Sequence, residues 1–357
     1  MNHLDTKQLR AAIAEYKRPS TAPALLIFAT DLVMYASAIA GLILLENTAL
    51  KILCSIAAGS LISSLFVIGH DAAHDAFTGS RILNRIIARI AFLPSLHNFG
   101  LWLTEHNRIH HQSVNIKGMD SWSPFSKEEY DSLPAWRQIV ERFYRNPAGI
   151  CFYYLIERWW KNKFFPYERI PGKYNSVYWD FLLVIIYLAN YLWLLVYVGL
   201  KLPHTGPVEL VILGFLIPFF YWNFMMGFTV YQHHTHECIV WTKTRNERDQ
   251  IGGQENFTMH VRFPRWYDLM SHNIMYHTAH HVDPRIPFYR LPMAQQLLAR
   301  LLGNDLKTVR FTVKGFLQTM AKCKLYDFEN HCWLDFNGNP TSGTNRAVEE
   351  DYYINAA

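Results

Sequence analysis

The sequence predicts an all-α integral membrane protein with four transmembrane helices, arranged as two hairpins with a cytoplasmic helical cap. Half of its 357 residues are hydrophobic and only 18% are charged, whereas a soluble domain usually carries about 25% charged residues. Charged residues are almost absent from four long stretches. Each stretch approaches the roughly 20 apolar residues that a spanning helix needs.

The four predicted spans are residues 24–45, 52–69, 181–200 and 210–232. Only Asp31 interrupts the first span. Short connections at 46–51 and 201–209 join the spans in pairs, so each pair is expected to form a helical hairpin. We expect a single domain over 1–357. Its parts are an N-terminal tail (1–23), a first hairpin (24–69), a central segment (70–180), a second hairpin (181–232) and a C-terminal segment (233–357).

Lysine and arginine are distributed unequally between the two sides of the predicted membrane. Only Lys51 and Lys201 lie in the connections within the hairpins, and the other 32 of the 34 lie in the tail, the central segment or the C-terminal segment. Because cytoplasmic segments carry the positive excess, both termini are expected on the cytoplasmic side of an inner or plasma membrane. The first 20 residues do not resemble a signal peptide, so the spans are expected to remain in the mature protein.

Two further stretches have the composition of the membrane–water boundary. In residues 81–101, Arg81, Arg85 and Arg89 recur every fourth residue beside isoleucines, which opposes a cationic face to an apolar one. A third hairpin that dips partway into the membrane is the alternative for this stretch. Residues 148–166 mix aromatic and basic side chains, which favours the boundary over packing against the cap.

The five cysteines contain no CxxC pair. Their spacing predicts neither a thiolate metal site nor a disulfide framework, and favours scattered thiols.

Histidine carries most of the functional information. Eleven of the seventeen histidines fall into four clusters: HDAAH at 70–74, HNRIHH at 106–111, HHTH at 233–236 and HTAHH at 277–281. Neutral imidazole is the commonest metal ligand and suits Fe, Zn, Cu and Ni. The other six are expected to be ordinary core or surface residues: His3, His97, His204, His260, His272 and His331.

Helical spacing indicates how the clusters can bind metal. Residues three or four apart share one face of a helix, so two histidines at that spacing can point at one ion. The adjacent residues His110 and His111 diverge by about 100°, so this pair can serve two ions. The pairs with the required spacing are His70 with His74, His106 with His110, and His277 with His280 or His281.

The position of the clusters favours a catalytic site. Two clusters directly follow the second and fourth spans, and the other two lie in predicted cytoplasmic segments. All eleven histidines are therefore expected at similar depth on one side of the membrane. A membrane haem carrier or metal transporter, the rival from another class, would place ligands on the spans or near the midplane.

The boxes HDAAH, HNRIHH and HTAHH, in this order around two predicted hairpins, resemble those of the integral-membrane fatty-acid desaturase superfamily, including bacterial acyl-lipid desaturases. QHHTH, which ends at His236, is similar to the extra histidine position of that superfamily. The stretch IPFYRLP at 286–292 resembles the segment after the last box, although Asp283 departs from the apolar residue expected there. The resemblance covers about residues 24–298 and is more specific for the superfamily than for the reaction.

The resemblance implies a diiron site in the cap. A ninth iron ligand is expected at His236, with His233 or His234 as alternatives. Asp71 and Glu105 adjoin ligands and are candidates for orienting imidazole rings, with solvation or local capping as the alternative. The eight ligands that the boxes imply are His70, His74, His106, His110, His111, His277, His280 and His281.

The implied reaction introduces a C=C bond into a lipid acyl chain with O2 as co-substrate. Hydroxylases and carotenoid ketolases of the same superfamily are the alternatives. No haem-binding HPGG segment occurs, so electrons are expected from a separate, ferredoxin-type donor, and no nucleic-acid partner is expected. The acyl chain requires an apolar tunnel, for which the aromatic residues of 219–224 are candidates.

Overall fold

The computed structural model describes residues 5–165 and 175–344. The α-helices of these two ranges are α1 (Thr6–Ala12), α2 (Thr21–Leu44), α3 (Thr48–Ala73), α4 (Arg81–Phe92), α5 (Phe99–Trp102), α6 (Lys127–Ser132), α7 (Ala135–Tyr144), α8 (Ile150–Tyr153), α9 (Asn175–Gly199), α10 (Pro207–Val211), α11 (Ile217–His234), α12 (Arg245–Ile251), α13 (Arg265–Met270), α14 (His277–Val282), α15 (Leu291–Leu302) and α16 (Val313–Lys322).

Wider π-helical turns continue three of these helices. They are Leu103–His110 after α5, Tyr154–Phe164 after α8, and Ile212–Leu216 between α10 and α11. Short 3₁₀ turns lie at Ala14–Tyr16, Pro147–Gly149, Gln254–Asn256, Phe288–Arg290 and Gly303–Asp305.

Four helices are long and apolar enough to cross a membrane, which confirms the four predicted spans. They are Thr21–Leu44, Thr48–Ala73, Ser176–Gly199, and the continuous helix Pro207–His234 that contains α10 and α11. The second span begins four residues before its predicted start and ends four residues after its predicted end. His70 therefore lies in the last turn of α3, and His74 caps the end of that helix.

Helix α3 is the inner helix of the spanning set. Within the most apolar window of each helix, 61% of the residues of α3 are buried, compared with 11% for α9. Helices α2, α4 and α11 all pack against α3. Gly59 permits the close approach to α11, because a Cβ at this position would lie 2.8 Å from the Tyr221 ring. The helix that carries the first box is thus held on several sides.

The segment after α11 contains a small amount of β-structure, so the expectation of an all-α chain was too simple. Strand β1 (His260–Arg262) pairs in parallel with β2 (Thr308–Arg310), and His260 is the partner of Thr308. Strand β3 (Leu325–Asp327) pairs antiparallel with β4 (Cys332–Leu334). The strands are three residues long, too short to show the alternating pattern by which a strand is recognised in a sequence.

Asp31, the charge within the first span, is paired across the fold. Its Oδ2 lies 2.6 Å from Nε2 of His272, and both side chains are largely buried. His272 also stacks on Phe288, with ring centroids 4.4 Å apart. An ionisable residue in a spanning helix is costly unless it finds such a partner. The pair therefore fixes α2 against the segment that precedes the third box.

We expect the substitution Asp31→Ala to destabilise the protein by about 1–3 kcal/mol, because it leaves the buried ring nitrogen of His272 without its acceptor. The measurement is thermal unfolding of the purified protein in detergent, followed by intrinsic fluorescence. Asp131→Ala is the matched control, because Asp131 is half-exposed and pairs with Lys127 within one helix. An equal loss of stability in both variants would contradict the role given to Asp31.

Candidate metal centre

Two groups of histidines face each other where the spanning helices α3 and α11 end. The ligand atoms within each group lie within 4.8 Å of one another. The first group is His70, His74, His106 and His280, and the second is His110, His234, His277 and His281. His111 adjoins the first group, because its Nε2 lies 3.1 Å from Nε2 of His106 and 3.2 Å from Nε2 of His280. All eight histidines expected from the boxes are thus brought together.

The π-helical turn after α5 explains how the second box divides between the two groups. A regular α-helix would place His106 and His110 on one face. Here the backbone N–H of His111 donates to the carbonyl of His106 at 3.2 Å, an i to i+5 bond that widens the turn. His106 and His111 consequently share the first group, while His110 turns to the second. The pairing of His106 with His110 inferred from helical spacing is corrected, and the divergence of His110 from His111 is confirmed.

The other two boxes follow ordinary helical geometry. His277 and His281 are one turn apart on α14, and their Nε2 atoms are 2.9 Å apart within the second group. His280 points to the first group, where it lies with His70 and His74. The helix α14 therefore supplies both groups, as adjacent positions on a helix diverge by about 100°.

The third cluster contributes His234 to the second group. Nε2 of His234 lies 3.0 Å from Nε2 of His277, and its Nδ1 lies 3.1 Å from the carbonyl oxygen of Phe257. His236 lies in neither group, and its Nδ1 is 2.9 Å from Sγ of Cys238. The helix α11 ends at His234, so the chain has already turned away from the groups by residue 236. Among the described residues, His234, one of the alternatives left open by the sequence, therefore lies in the second group, and His236 does not.

The distances between ring nitrogens fit metal ligation. The Nε2 atoms of His70 and His106 are 3.1 Å apart, and those of His110 and His281 are 3.2 Å apart. Two nitrogens that bind one ion at right angles, each with a bond of about 2.1 Å, lie about 3.0 Å apart. Both groups consist of histidine alone, a donor set that suits iron among other transition metals.

In both groups, burial and neighbouring rings lower the pKa of a histidine, which favours the neutral form that ligation requires. Burial, together with the neighbouring rings His111 and His70, holds the pKa of His74 well below its ordinary value. Burial, with His277 and His111 nearby, has the same effect on the pKa of His281. The rings of His74 and His281 are therefore neutral near pH 7, and each has a lone pair available for a metal ion.

Two buried carboxylates orient one ligand in each group. Oδ1 of Asp71 lies 3.0 Å from Nδ1 of His70, and its Oδ2 accepts the backbone N–H of Phe288 at 2.5 Å. Oδ1 of Asp120 lies 2.8 Å from Nδ1 of His110. A carboxylate on the outer nitrogen fixes the tautomer of the ring and strengthens it as a ligand. Asp71 was expected from its position beside a ligand, whereas Asp120, ten residues beyond His110, was missed.

The loop after the second box holds Asp120 in place. The backbone N–H of Asn115 donates to Oδ2 of Asp120 at 3.0 Å, and the side-chain amide of Asn115 donates to the carbonyl of His234 at 3.3 Å. Asn115 has a left-handed φ of 54°, which asparagine tolerates better than most residues. Burial alone raises the pKa of Asp120, but His110 and this hydrogen bond outweigh it, so the pKa lies well below the usual range.

Asp283 ties the N-terminal segment to the end of the third box. Its side chain is 1% exposed, and its Oδ2 lies 2.7 Å from Nζ of Lys17 and 3.7 Å from Nε of Arg10. Burial raises the pKa of Asp283, but the hydrogen bonds from Arg285 and Lys17 outweigh it and lower the pKa. The residue that departs from the family pattern therefore anchors α1 beside α14.

A cavity of about 990 Å³, partly continuous with the outside, leads to both groups. Histidines of both groups line it, together with the charged residues Glu105, Arg158 and Lys163, and most of the remaining wall is apolar. The aromatic side chains of 219–224 do not line it, because the next two turns of α11 face it instead. The apolar lining includes Phe66, Val67, Met225, Met226, Val230 and Ile274.

Of the six histidines expected to be ordinary, five lie within the described residues and outside both groups. His97 is representative, since its Nδ1 contacts the carbonyl of Ser95 and its Nε2 contacts the hydroxyl of Tyr154. His3 lies outside the described residues.

The chain belongs to the fatty acid desaturase family, whose sequence model matches residues 46–312. This confirms the resemblance drawn from the histidine boxes. An omega-6 fatty acid desaturase, chloroplastic, of Brassica napus is 29% identical over 280 residues, which are 76% of this chain and 59% of the relative. An sn-1 oleoyl-lipid 12-desaturase of Picosynechococcus sp. is 28% identical over 286 residues, 78% of this chain and 77% of the relative. The chain thus spans about three fifths of the length of its chloroplastic relative.

Proposed function

We propose that this protein is an O2-dependent fatty-acid desaturase that introduces a C=C bond into the acyl chain of a lipid. The observation that carries the proposal is a cavity lined both by apolar side chains of α3 and α11 and by histidines of the two groups. Membership in the desaturase family supports it. The names of relatives, an omega-6 and an oleoyl-lipid 12-desaturase, favour a lipid acyl substrate over a carotenoid.

We propose two iron ions, one in each histidine group, with His234 as the ninth ligand. The first ion is assigned five ligands and the second four. Iron bound there supplies the activation of O2 and the removal of hydrogen from two neighbouring methylenes. The proposed ligands are His70, His74, His106, His111 and His280 for one ion, and His110, His234, His277 and His281 for the other.

The residues of the chain perform the remaining tasks. Met226, Val67 and their neighbours hold the acyl chain away from water, which protects a strongly oxidising site. Asp71 and Asp120 keep the outer nitrogens of His70 and His110 bonded, so that the inner nitrogens remain available as ligands. Formation of a C=C bond with reduction of O2 to two waters consumes two electrons and two protons. We propose a ferredoxin-type donor for the electrons and place the cap and both termini in the cytoplasm.

The proposal is tested by the acyl-chain profile of a host that expresses the protein. New double bonds in membrane-lipid acyl chains, absent from a host that expresses the His110→Ala variant, are the expected result. Hydroxylated fatty acids would instead identify a hydroxylase. Unchanged acyl chains with altered carotenoids would identify a ketolase, and either result overturns the proposal.

We expect Met226→Trp to lower the formation of double bonds by at least about tenfold, because the indole fills part of the cavity and overpacking is poorly relieved. The iron content per chain stays unchanged, since Met226 lies two turns before His234. Leu216→Trp is the control, as Leu216 lies on the same span and is 39% exposed. Acyl-chain profiles and iron analysis of both variants check this. Full activity of Met226→Trp would show that the cavity does not hold the substrate.

A further inference from the structure

Helix α7 turns its apolar face outward. Trp136, Ile139 and Phe143 recur at helical spacing and are 65%, 67% and 41% exposed. The opposite face is attached to the protein through polar contacts. Arg137 pairs with Glu157 at 3.0 Å. Arg145, which caps the helix and pairs with Glu141 at 2.9 Å, donates to the carbonyl of Trp122 at 3.2 Å. A helix at a water-exposed surface has the reverse arrangement, with its apolar face packed against the core.

The exposed stripe of α7 continues into a spanning helix. The Phe143 ring lies 5.5 Å from that of Phe152, which lies 6.2 Å from that of Phe220 on α11. Helix α8 is bonded to the same point, because Sγ of Cys151 donates to the carbonyl of Phe220 at 3.2 Å. Two turns further along α11, Gly227 permits the close approach of α8, since a Cβ at this position would lie 2.8 Å from the carbonyl oxygen of Ile150.

The position of Phe220 along its helix determines the depth of this contact. The helix Pro207–His234 has 28 residues and is about 42 Å long at 1.5 Å per residue. Phe220 lies about 20 Å from its Pro207 end on the same scale. If this helix spans a hydrocarbon core about 30 Å thick, Phe220 lies within the core at every position that the core can take along the helix. Tilting the helix shortens its projection and keeps Phe220 inside.

We propose that α7 and α8 are inserted into one leaflet of the bilayer, and that the surface of Trp136, Ile139, Phe143 and Phe152 contacts lipid acyl chains. Lipid is the expected partner because the stripe is continuous with the exposed surface of a spanning helix at the depth of the hydrocarbon core. The outward face is apolar and the polar bonds of α7 point inward, as in helices that lie in a membrane interface.

The inserted pair of helices also borders the cavity. The π-helical turn Tyr154–Phe164 follows α8 directly, and Tyr154, Arg158 and Lys163 line the cavity. One wall of the cavity, which holds the acyl chain in the proposed function, is therefore formed by the segment that follows α8 directly in the chain.

The test is the accessibility of spin labels to O2, which enters hydrocarbon, and to a polar nickel chelate, which does not. The full-length protein is reconstituted in phosphatidylcholine–phosphatidylglycerol vesicles, with the partly exposed Cys54 and Cys151 replaced by serine. Labels are placed separately at Ile139→Cys and Trp136→Cys. Val33→Cys on α2, 64% exposed, is the lipid-facing reference, and Asn337→Cys on the cap is the reference for water.

The ratio of O2 to nickel accessibility at Ile139→Cys and Trp136→Cys is expected to approach that of Val33→Cys. It should exceed that of Asn337→Cys by at least about tenfold, because polar complexes are excluded from hydrocarbon. Ratios equal to that of Asn337→Cys would place α7 in water and overturn the proposal. Low accessibility to both reagents would show that a second copy or another protein covers the stripe, which also overturns it. The parent variant with Cys54→Ser and Cys151→Ser must retain the iron content of the native protein, which shows that the fold tolerates both changes.

Discussion

Replacing His234 by alanine is expected to remove one of two bound metal ions and to lower activity by at least about 100-fold. Loss of a group that merely orients a ligand already costs about 10–100-fold in metal affinity, and His234 is proposed as a ligand itself. Its Nε2 lies 3.0 Å from that of His277 in a group of four. The measurement is iron per chain by elemental analysis of purified protein, together with the acyl-chain profile of the expressing host.

His236→Ala is the matched control for this prediction, since the two histidines are two residues apart and both are buried. We expect this variant to keep its full iron content, because Nδ1 of His236 contacts Cys238 and the ring lies outside both groups. Loss of iron from His236→Ala, with iron retained in His234→Ala, would reverse the assignment of the ninth ligand.

Asp120→Ala is expected to weaken metal binding in the second group by about 10–100-fold while the first group stays loaded. The substitution removes the carboxylate that contacts His110, leaving Nδ1 of that ring without the acceptor at 2.8 Å. Iron titration of the purified protein, read as the number of ions retained against a competing chelator, should show one strong site and one weakened site. Asp71→Ala should give the same pattern in the first group, because Asp71 contacts His70.

Asp120→Asn separates orientation from charge. Its amide oxygen can still accept a hydrogen bond from His110, so we expect a smaller loss than in Asp120→Ala. Asp249→Ala, whose side chain is 64% exposed on α12, should bind both ions as tightly as the native protein. Unchanged iron binding in Asp120→Ala would refute the role of this carboxylate.

The four long apolar helices and the eight box histidines that come together are predictable from sequence for a physical reason. A span needs a long apolar run, and Thr48–Ala73 displays one that ends at His70. Local spacing also predicted that His110 and His111 diverge and that His277 acts with His280 or His281, of which the structure brings His281 into the group of His277. These are properties of neighbouring residues on one helix, so they need no knowledge of the rest of the fold.

The division of ligands between the two groups depends on features that the sequence does not display. No characteristic composition marks the π-helical turn that brings His106 and His111 into one group. Regular helical spacing therefore paired His106 with His110 instead. His234 and His236 are indistinguishable by type, and the end of α11 decides between them. Asp120 and Asp283 are single carboxylates whose partners lie on other elements, so only the tertiary structure shows what they contact.

The two histidine groups also differ in the order in which their histidines are synthesised. Four members of the five-histidine set, from His70 to His111, are encoded before the second pair of spanning helices has been translated, and only His280 comes later. The other set has one early member, His110, and must wait for His234, His277 and His281. Four of the five side chains of one group therefore come from the N-terminal third of the chain, whereas the other group is complete only after the last box has been synthesised.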